Sequence, residues 1–248
     1  MPSSRLSFYL LQDLTESEAE YVVSCIKHVA PSHIILQFNV TNTLEEQLLE
    51  RVCVRCDVDD LEGPEVVTSV PAEVVKYGEP GMCFVVLSRE GLPTGSVSAT
   101  LVFSMKEVDP QSGDVEDEGF EDEYQLEDVD ITFGDYVTRP PPSAFQRTFQ
   151  ELGSEFAGSC VFNLAAVKSI PEAIQGIMDS VGLFPAEGTD RASPAARAHT
   201  MLMEGMLPGD LRVMAVAEMQ VRTEGLALKL SVRSPAQELT DTVLEALS

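Results

Sequence analysis

Three consecutive prolines, Pro140-Pro141-Pro142, follow Arg139 just past the middle of this 248-residue chain. Proline fixes φ and lacks an amide hydrogen, so neither a helix interior nor a central strand can run through such a stretch. The sequences on its two sides therefore build separate structures. Their charge also differs: residues 1–138 hold 28 acids and 7 bases, whereas residues 139–248 hold 13 and 9. The expected organisation is a first domain over residues 1–138 and a second over residues 139–248.

The first domain reads as strands. Ile34, Leu36, Phe38 and Val40 alternate with Gln37 and Asn39, and Val97, Ala99, Leu101, Phe103 and Met105 alternate with Ser98, Thr100 and Ser104. Successive side chains of a strand point to opposite faces, so period-two alternation marks a half-buried strand. Shorter strands are expected at Tyr21–Lys27, Arg51–Asp57, Val66–Val70, Met82–Leu87 and Tyr124–Phe133, with Glu45–Glu50 as one helical turn. Turn chemistry separates them at Thr41-Asn42-Thr43, Glu62-Gly63-Pro64, Tyr77–Gly81 and Asp109-Pro110-Gln111-Ser112-Gly113. About seven short strands with such turns imply an antiparallel sandwich of immunoglobulin type.

The second domain mixes both periods. Ser143-Ala144-Phe145-Gln146 has the capping-box pattern, followed by Phe145, Phe149, Leu152 and Phe156 at helical spacing. Ser169-Ile170-Pro171-Glu172 repeats it ahead of an Ala173, Ile174, Ile177, Met178 and Val181 stripe that Gly182 can end. A third helix is expected behind Ser234-Pro235-Ala236-Gln237, with Leu239, Val243, Ala246 and Leu247 inward. Strands are expected at Cys160–Val167, Thr200–Leu207, Leu211–Gln220 and Leu226–Arg233. The predicted fold class is thus mixed: a β-sandwich followed by an α+β domain with an antiparallel sheet.

Composition narrows the function. Hydrophobic residues make up 44% of the chain, enough for a core. A formal net charge of -25 repels phosphate backbones, so no nucleic-acid partner is expected. The longest apolar run, Met82–Leu87, is far shorter than the roughly 18 residues of a membrane span. No signal-peptide pattern follows Met1, and five cysteines fit reduced thiols, so a soluble cytosolic protein is expected.

Catalytic and metal-binding patterns are missing their essential members. Cys53-Val54-Arg55-Cys56 lacks the second ligand pair that a zinc site needs, and its thiols would point to opposite faces of a strand. His28, His33 and His199 stand in no metalloprotease spacing, and no nucleophile elbow, phosphate loop or dinucleotide fingerprint occurs. No catalytic residue, cofactor site or metal site is assigned; the alternative of a small hydrolase requires distant residues brought together by the fold. In the acidic run from Asp114 to Asp130, Asp114, Glu116, Glu118 and Gly119 match early positions of a calcium loop, but Gln125 stands where a bidentate glutamate belongs. A solvated acidic hairpin is the favoured reading, with an acidic scaffold for basic partners as another alternative.

Phe149 has two readings: burial with its stripe, or a place at a groove edge where an aromatic ring anchors a partner peptide. The surrounding bases, Arg147, Lys168, Arg191, Arg197, Arg212, Arg222, Lys229 and Arg233, would attract acidic peptides if several converge.

Four stretches carry a family resemblance: Leu14-Thr-Glu-Ser-Glu-Ala-Glu-Tyr-Val, Thr41-Asn-Thr-Leu, Asp117-Glu-Gly-Phe-Glu-Asp-Glu-Tyr-Gln-Leu-Glu-Asp-Val and Ala198-His-Thr-Met-Leu. From about Asp13 onward the chain resembles the C-terminal appendage of the coatomer gamma subunit; residues 1–12 add nothing to the likeness. The resemblance implies an immunoglobulin-like sandwich joined to a smaller α/β platform, and no enzymatic activity. It implies a part of the COPI coat on vesicles moving between Golgi and endoplasmic reticulum, with membrane association only through the coat. The partners implied are an Arf GTPase-activating protein, other coat regulators and other coatomer subunits. Phe149 takes the place of a family tryptophan, keeping an apolar anchor while losing the indole donor. The protein-binding residues expected are Phe149, from the resemblance, and Arg191, Arg197, Lys229 and Arg233, as bases able to pair with acids of a partner. The family's helical trunk has no counterpart here, which implies a piece of a longer chain or a divergent short one.

Overall fold

The computed structural model describes residues 11–109 and 111–247. Pro110, in one of the expected turns, lies outside the described residues. Contacts divide the chain between Asp135 and Tyr136. Residues 136–138 belong to the second unit because Tyr136 and Val137 are buried and Thr138 pairs with Met206.

The first unit is an antiparallel sandwich. One sheet holds β1 (Leu11–Asp13), β2 (Tyr21–Val29), β3 (His33–Asn42), β7 (Gly81–Ser88) and β5 (Val66–Val70), in that order. The other orders β10 (Val129–Ile131), β8 (Gly95–Glu107), β4 (Gln47–Asp57) and β6 (Ala72–Val75), with β9 (Phe120–Gln125) also on β8. The alternation expected of residues 33–40 is present: Ile34, Leu36, Phe38 and Val40 are buried, as are Val54, Leu101 and Phe103 of the other sheet.

Polar groups pin particular connections. Asn42 is fully buried: its amide donates to Gln47 O at 2.7 Å, and its side-chain oxygen accepts from Leu44 N at 2.9 Å. The turn after β3 thereby satisfies its own backbone. Tyr21 meets Phe103 and Tyr124 edge-on, donates to Gln47 Oε1 at 2.7 Å, and its phenol is pushed by burial up to about 12. Lys27 and Asp135 form an ion pair at 2.8 Å with side chains only 9% and 6% exposed.

Three expectations for this unit change. Residues 47–50 are strand, not a helical turn, because they pair with β8. The single strand expected over Tyr124–Phe133 is two, β9 and β10, which pair with different stretches of β8. Residues 72–75, whose short stretch shows no alternation, form β6 because Val75 is buried against the core.

The second unit is one antiparallel sheet ordered β11 (Gly158–Leu164), β15 (Gly225–Arg233), β14 (Leu211–Arg222), β13 (Ala198–Leu207) and β12 (Phe184–Pro185). Register sets its two faces. Met201, Ala217 and Leu230 share one row and Met203, Ala215 and Val232 the next, all buried. Helices α2 (Ile170–Val181) and α3 (Gln237–Glu245) pack against this sheet. Helix α1 (Phe145–Glu151) lies on the opposite face, where Phe145 packs with Leu202 and Met214.

The helix caps decide differently in the three cases. Ser169 caps α2 by accepting from Glu172 N, and Gly182 ends it with φ 68°. The other two serines do not cap. Ser143 instead accepts from Arg212 Nη1 at 3.1 Å, and the N-cap of α1 is Ala144. Ser234 Oγ lies 2.8 Å from Thr240 Oγ1, and the N-cap of α3 is Ala236. Ser143 is taken by a tertiary partner, whereas Ser234 also binds its local backbone, donating to Ala236 O at 2.6 Å and accepting from Ala236 N at 3.3 Å. The first helix also stops at Leu152 before Gly153 at φ 73°, so Phe156 lies beyond it.

Candidate functional site

The site grows from α1. Phe145 is buried, and one turn later Phe149 stacks on it with ring centroids 5.7 Å apart and planes 15° off parallel. Phe149 is only partly buried, because α1 lies at one end of its sheet face, over Leu202, Met214 and Val216. Arg233, at the end of β15, also covers the ring: its guanidinium carbon lies 4.4 Å from the Phe149 centroid. Arg233 Nη1 also donates to Phe149 O at 2.7 Å. The aromatic ring is therefore fixed by a stacked phenylalanine and a cation–π contact. Phe149 is thus half-buried, packed against the core cluster without being enclosed by it.

Beyond α1 the same sheet face is uncovered. Val161, Lys229, Glu218 and Thr200 form one row across β11, β15, β14 and β13. Val161 is 70% exposed, and Lys229 bridges Glu218 at 3.1 Å with both side chains half exposed. With Gln220, Arg222 and Ala227 these residues line a groove of about 730 Å³. Sequence reasoning missed Val161; the signal was its place opposite Lys229 in an apolar stretch that alternates too weakly to reveal which face is open.

The expected bases do not all gather at Phe149. Arg233 touches it, and Lys229 lies in the open row of the same face. Arg197 is exposed just before β13, its carbonyl accepting from Val221 N at 2.9 Å. It is five residues from Leu202, roughly 17 Å along a strand. Arg191 is exposed in the loop between β12 and β13. Arg212 is spent on Ser143 and on Pro141 O. Arg139 covers the Phe184 ring at 4.8 Å.

Other titratable groups are arranged for folding. Glu204 Oε2 is buried without a hydrogen-bond partner, and burial raises its carboxyl pKa against the pull of Arg212 and Arg139. Burial pushes the Cys25, Cys56 and Cys83 thiols up to about 12, the reverse of what a nucleophile needs. Ser32 Oγ lies 2.9 Å from His33 Nδ1 in an exposed turn, and His199 Nε2 contacts Thr189 O at 2.7 Å. Among the described residues no three of His, Cys, Asp and Glu converge as metal ligands would, and no helix is long and apolar enough to cross a membrane. In the acidic run, Glu123 pairs with Arg55 at 2.8 Å and Glu121 pairs with Arg51, cross-strand bridges over β8.

Residues 9–132 match the model of the coatomer gamma subunit appendage platform subdomain, and residues 134–247 that of the coatomer subunit gamma-1 C-terminal appendage platform. The coatomer subunit gamma of Arabidopsis thaliana is 38% identical over 239 residues, 95% of this chain and 27% of that protein. Human coatomer subunit gamma-2 is 32% identical over 238 residues, 94% of this chain and 27% of that protein. The chain thus spans about a quarter of the length of these curated relatives. Among solved structures, the GAE domain of yeast GGA1 superposes with a TM-score of 0.32 at 5% identity, covering 48% of this chain and 97% of that one. With both units matched by models of one appendage, the chain belongs to the coatomer gamma subunit family.

Proposed function

We propose that the chain is a non-enzymatic recruitment module of the COPI coat, with the second unit as its docking surface. In this reading it works in the cytoplasm, peripheral on Golgi membranes and coated vesicles, in transport between Golgi and endoplasmic reticulum. Its partners are an Arf GTPase-activating protein, other coat regulators and other coatomer subunits. One observation carries the reading: Phe149, packed against Phe145 and Arg233 and only partly buried, sits at the edge of the uncovered half of the sheet. A partner's aromatic or aliphatic side chain would pack beside that edge, and partner acids would meet Lys229, Arg197 and, more distantly, Arg191. Individual affinities in the micromolar range, about -8 kcal/mol, suit a reversible coat and gain from avidity on an assembled lattice.

Capture of the GTPase-activating protein by immobilised wild-type and Phe149→Ala chains tests this. Loss of the ring removes both the anchor and the support of Arg233, so capture should fall by about tenfold or more. Equal capture by the variant, with an unchanged thermal midpoint, would move the site elsewhere.

A further inference from the structure

Open sheet edges carry unpaired amide and carbonyl groups, and proteins usually guard them with charge, proline, bulges or brevity. Nearly every edge described here is guarded. In the first unit β9 carries Glu121, Asp122 and Glu123, β5 is bulged and lies between Pro64 and Pro71, β1 and β10 have three residues each, and β6 has four. In the second unit β12 has two residues, one of them Pro185, and Arg139 covers its Phe184. The opposite edge of that same sheet has none of these devices. Strand β11, Gly-Ser-Cys-Val-Phe-Asn-Leu, runs seven residues in unbroken register with β15, without charge, proline or bulge. Ser159, Cys160, Val161 and Asn163 are exposed along it.

We propose that β11 is a strand-addition site for an extended acidic segment of a partner protein. Main-chain hydrogen bonds to the free edge supply affinity, and alternate side chains supply selectivity. An added strand lays every second residue on the face that carries Val161 and, one strand further in, Lys229. Two bases, Lys229 and Arg222, and one acid, Glu218, line the adjoining groove, with Arg197 exposed before β13. In a molecule of net charge -25 this is surface where an acidic segment gains attraction instead of repulsion. A second copy fits less well. Pairing β11 with itself brings two chains of net charge -25 together, with Glu238, Asp241 and Glu245 on the exposed side of each α3, the helix that packs on β11. This site shares Lys229 and Arg197 with the preceding proposal but does not depend on the Phe149 anchor.

The test uses the full chain and a fluorescein-labelled peptide of alternating valine and glutamate. Saturable binding is expected, together with slower amide exchange in β11. Methylating alternate peptide amides should abolish binding, since a methylated nitrogen cannot join a ladder. Lys229→Gln, which sets no second carboxylate opposite Glu218, and Val161→Glu, both at exposed positions, should each weaken binding about threefold or more while leaving the thermal midpoint in place. Phe149→Ala should not change it, which separates this site from the preceding proposal. The idea is overturned by absence of binding at millimolar peptide, by equal binding of the methylated peptide or of a valine–lysine counterpart, or by protection appearing in α1 instead. Concentration-dependent dimers that Val161→Glu converts to monomers would assign the edge to a second copy and also overturn it.

Discussion

Arg233 shows how one residue can serve fold and site together: its guanidinium ties β15 to the carbonyl of Phe149 and covers that residue's ring. Glu204 is the opposite case, a carboxylate whose ionised form the fold disfavours. Because its pKa is higher folded than unfolded, its charge costs stability at neutral pH. That cost fades as pH falls from the raised folded value into the ordinary carboxylate range. Glu204→Gln should therefore raise the urea midpoint near neutral pH, and its advantage over the wild type should vanish by about pH 4. An equal gain at both pH values would assign the effect to packing. Neither role was legible in the residue names. Arg233 and Phe149 are 84 positions apart, and only the return of β15 beneath α1 brings them into contact.

At the scale of elements, α3 is held by a buried hydroxyl pair. Thr240 Oγ1 donates to Phe156 O at 2.6 Å and lies 2.8 Å from Ser234 Oγ, with both residues almost wholly buried. Thr240→Val keeps the shape but leaves the Phe156 carbonyl without this donor, so unfolding free energy should drop by about 1–3 kcal/mol. Urea denaturation measures it, and Thr240→Ser should recover most of the loss. Alternation placed β3, β8 and β15 because each has one buried and one open face. The same cue missed β6, which is four residues long, and could not show that residues 47–50 join β4. The serine patterns predicted three caps on local grounds, yet only Ser169 caps its helix; Ser143 is taken by Arg212, and Ser234 by the Ala236 backbone and Thr240. Gly225 shows the same dependence. Its φ of 119° suits the turn between β14 and β15, but the stricter demand is spatial, since a Cβ there would lie 2.5 Å from Leu164 O.

Across the whole molecule, charge is distributed by unit, 28 of the 41 acids preceding Tyr136. Like charges at this density destabilise the compact state, and salt screens them over a Debye length of about 10 Å at 0.1 M. Raising sodium chloride from about 0.01 to 0.15 M should slow amide exchange in the first unit more than in the second; uniform slowing would refute a charge origin. The sequence alone determined the strand-rich first part and the mixed second, because backbone restrictions and side-chain periodicity are local properties. It also carried the family, since quoted stretches such as Asp117–Val129 are contiguous. Only the tertiary structure decided which side of the second sheet is uncovered, which base reaches Phe149, and that β11 is left as an unguarded edge. Those properties depend on which strands become neighbours and where the chain stops covering them, and no window of local sequence contains that information.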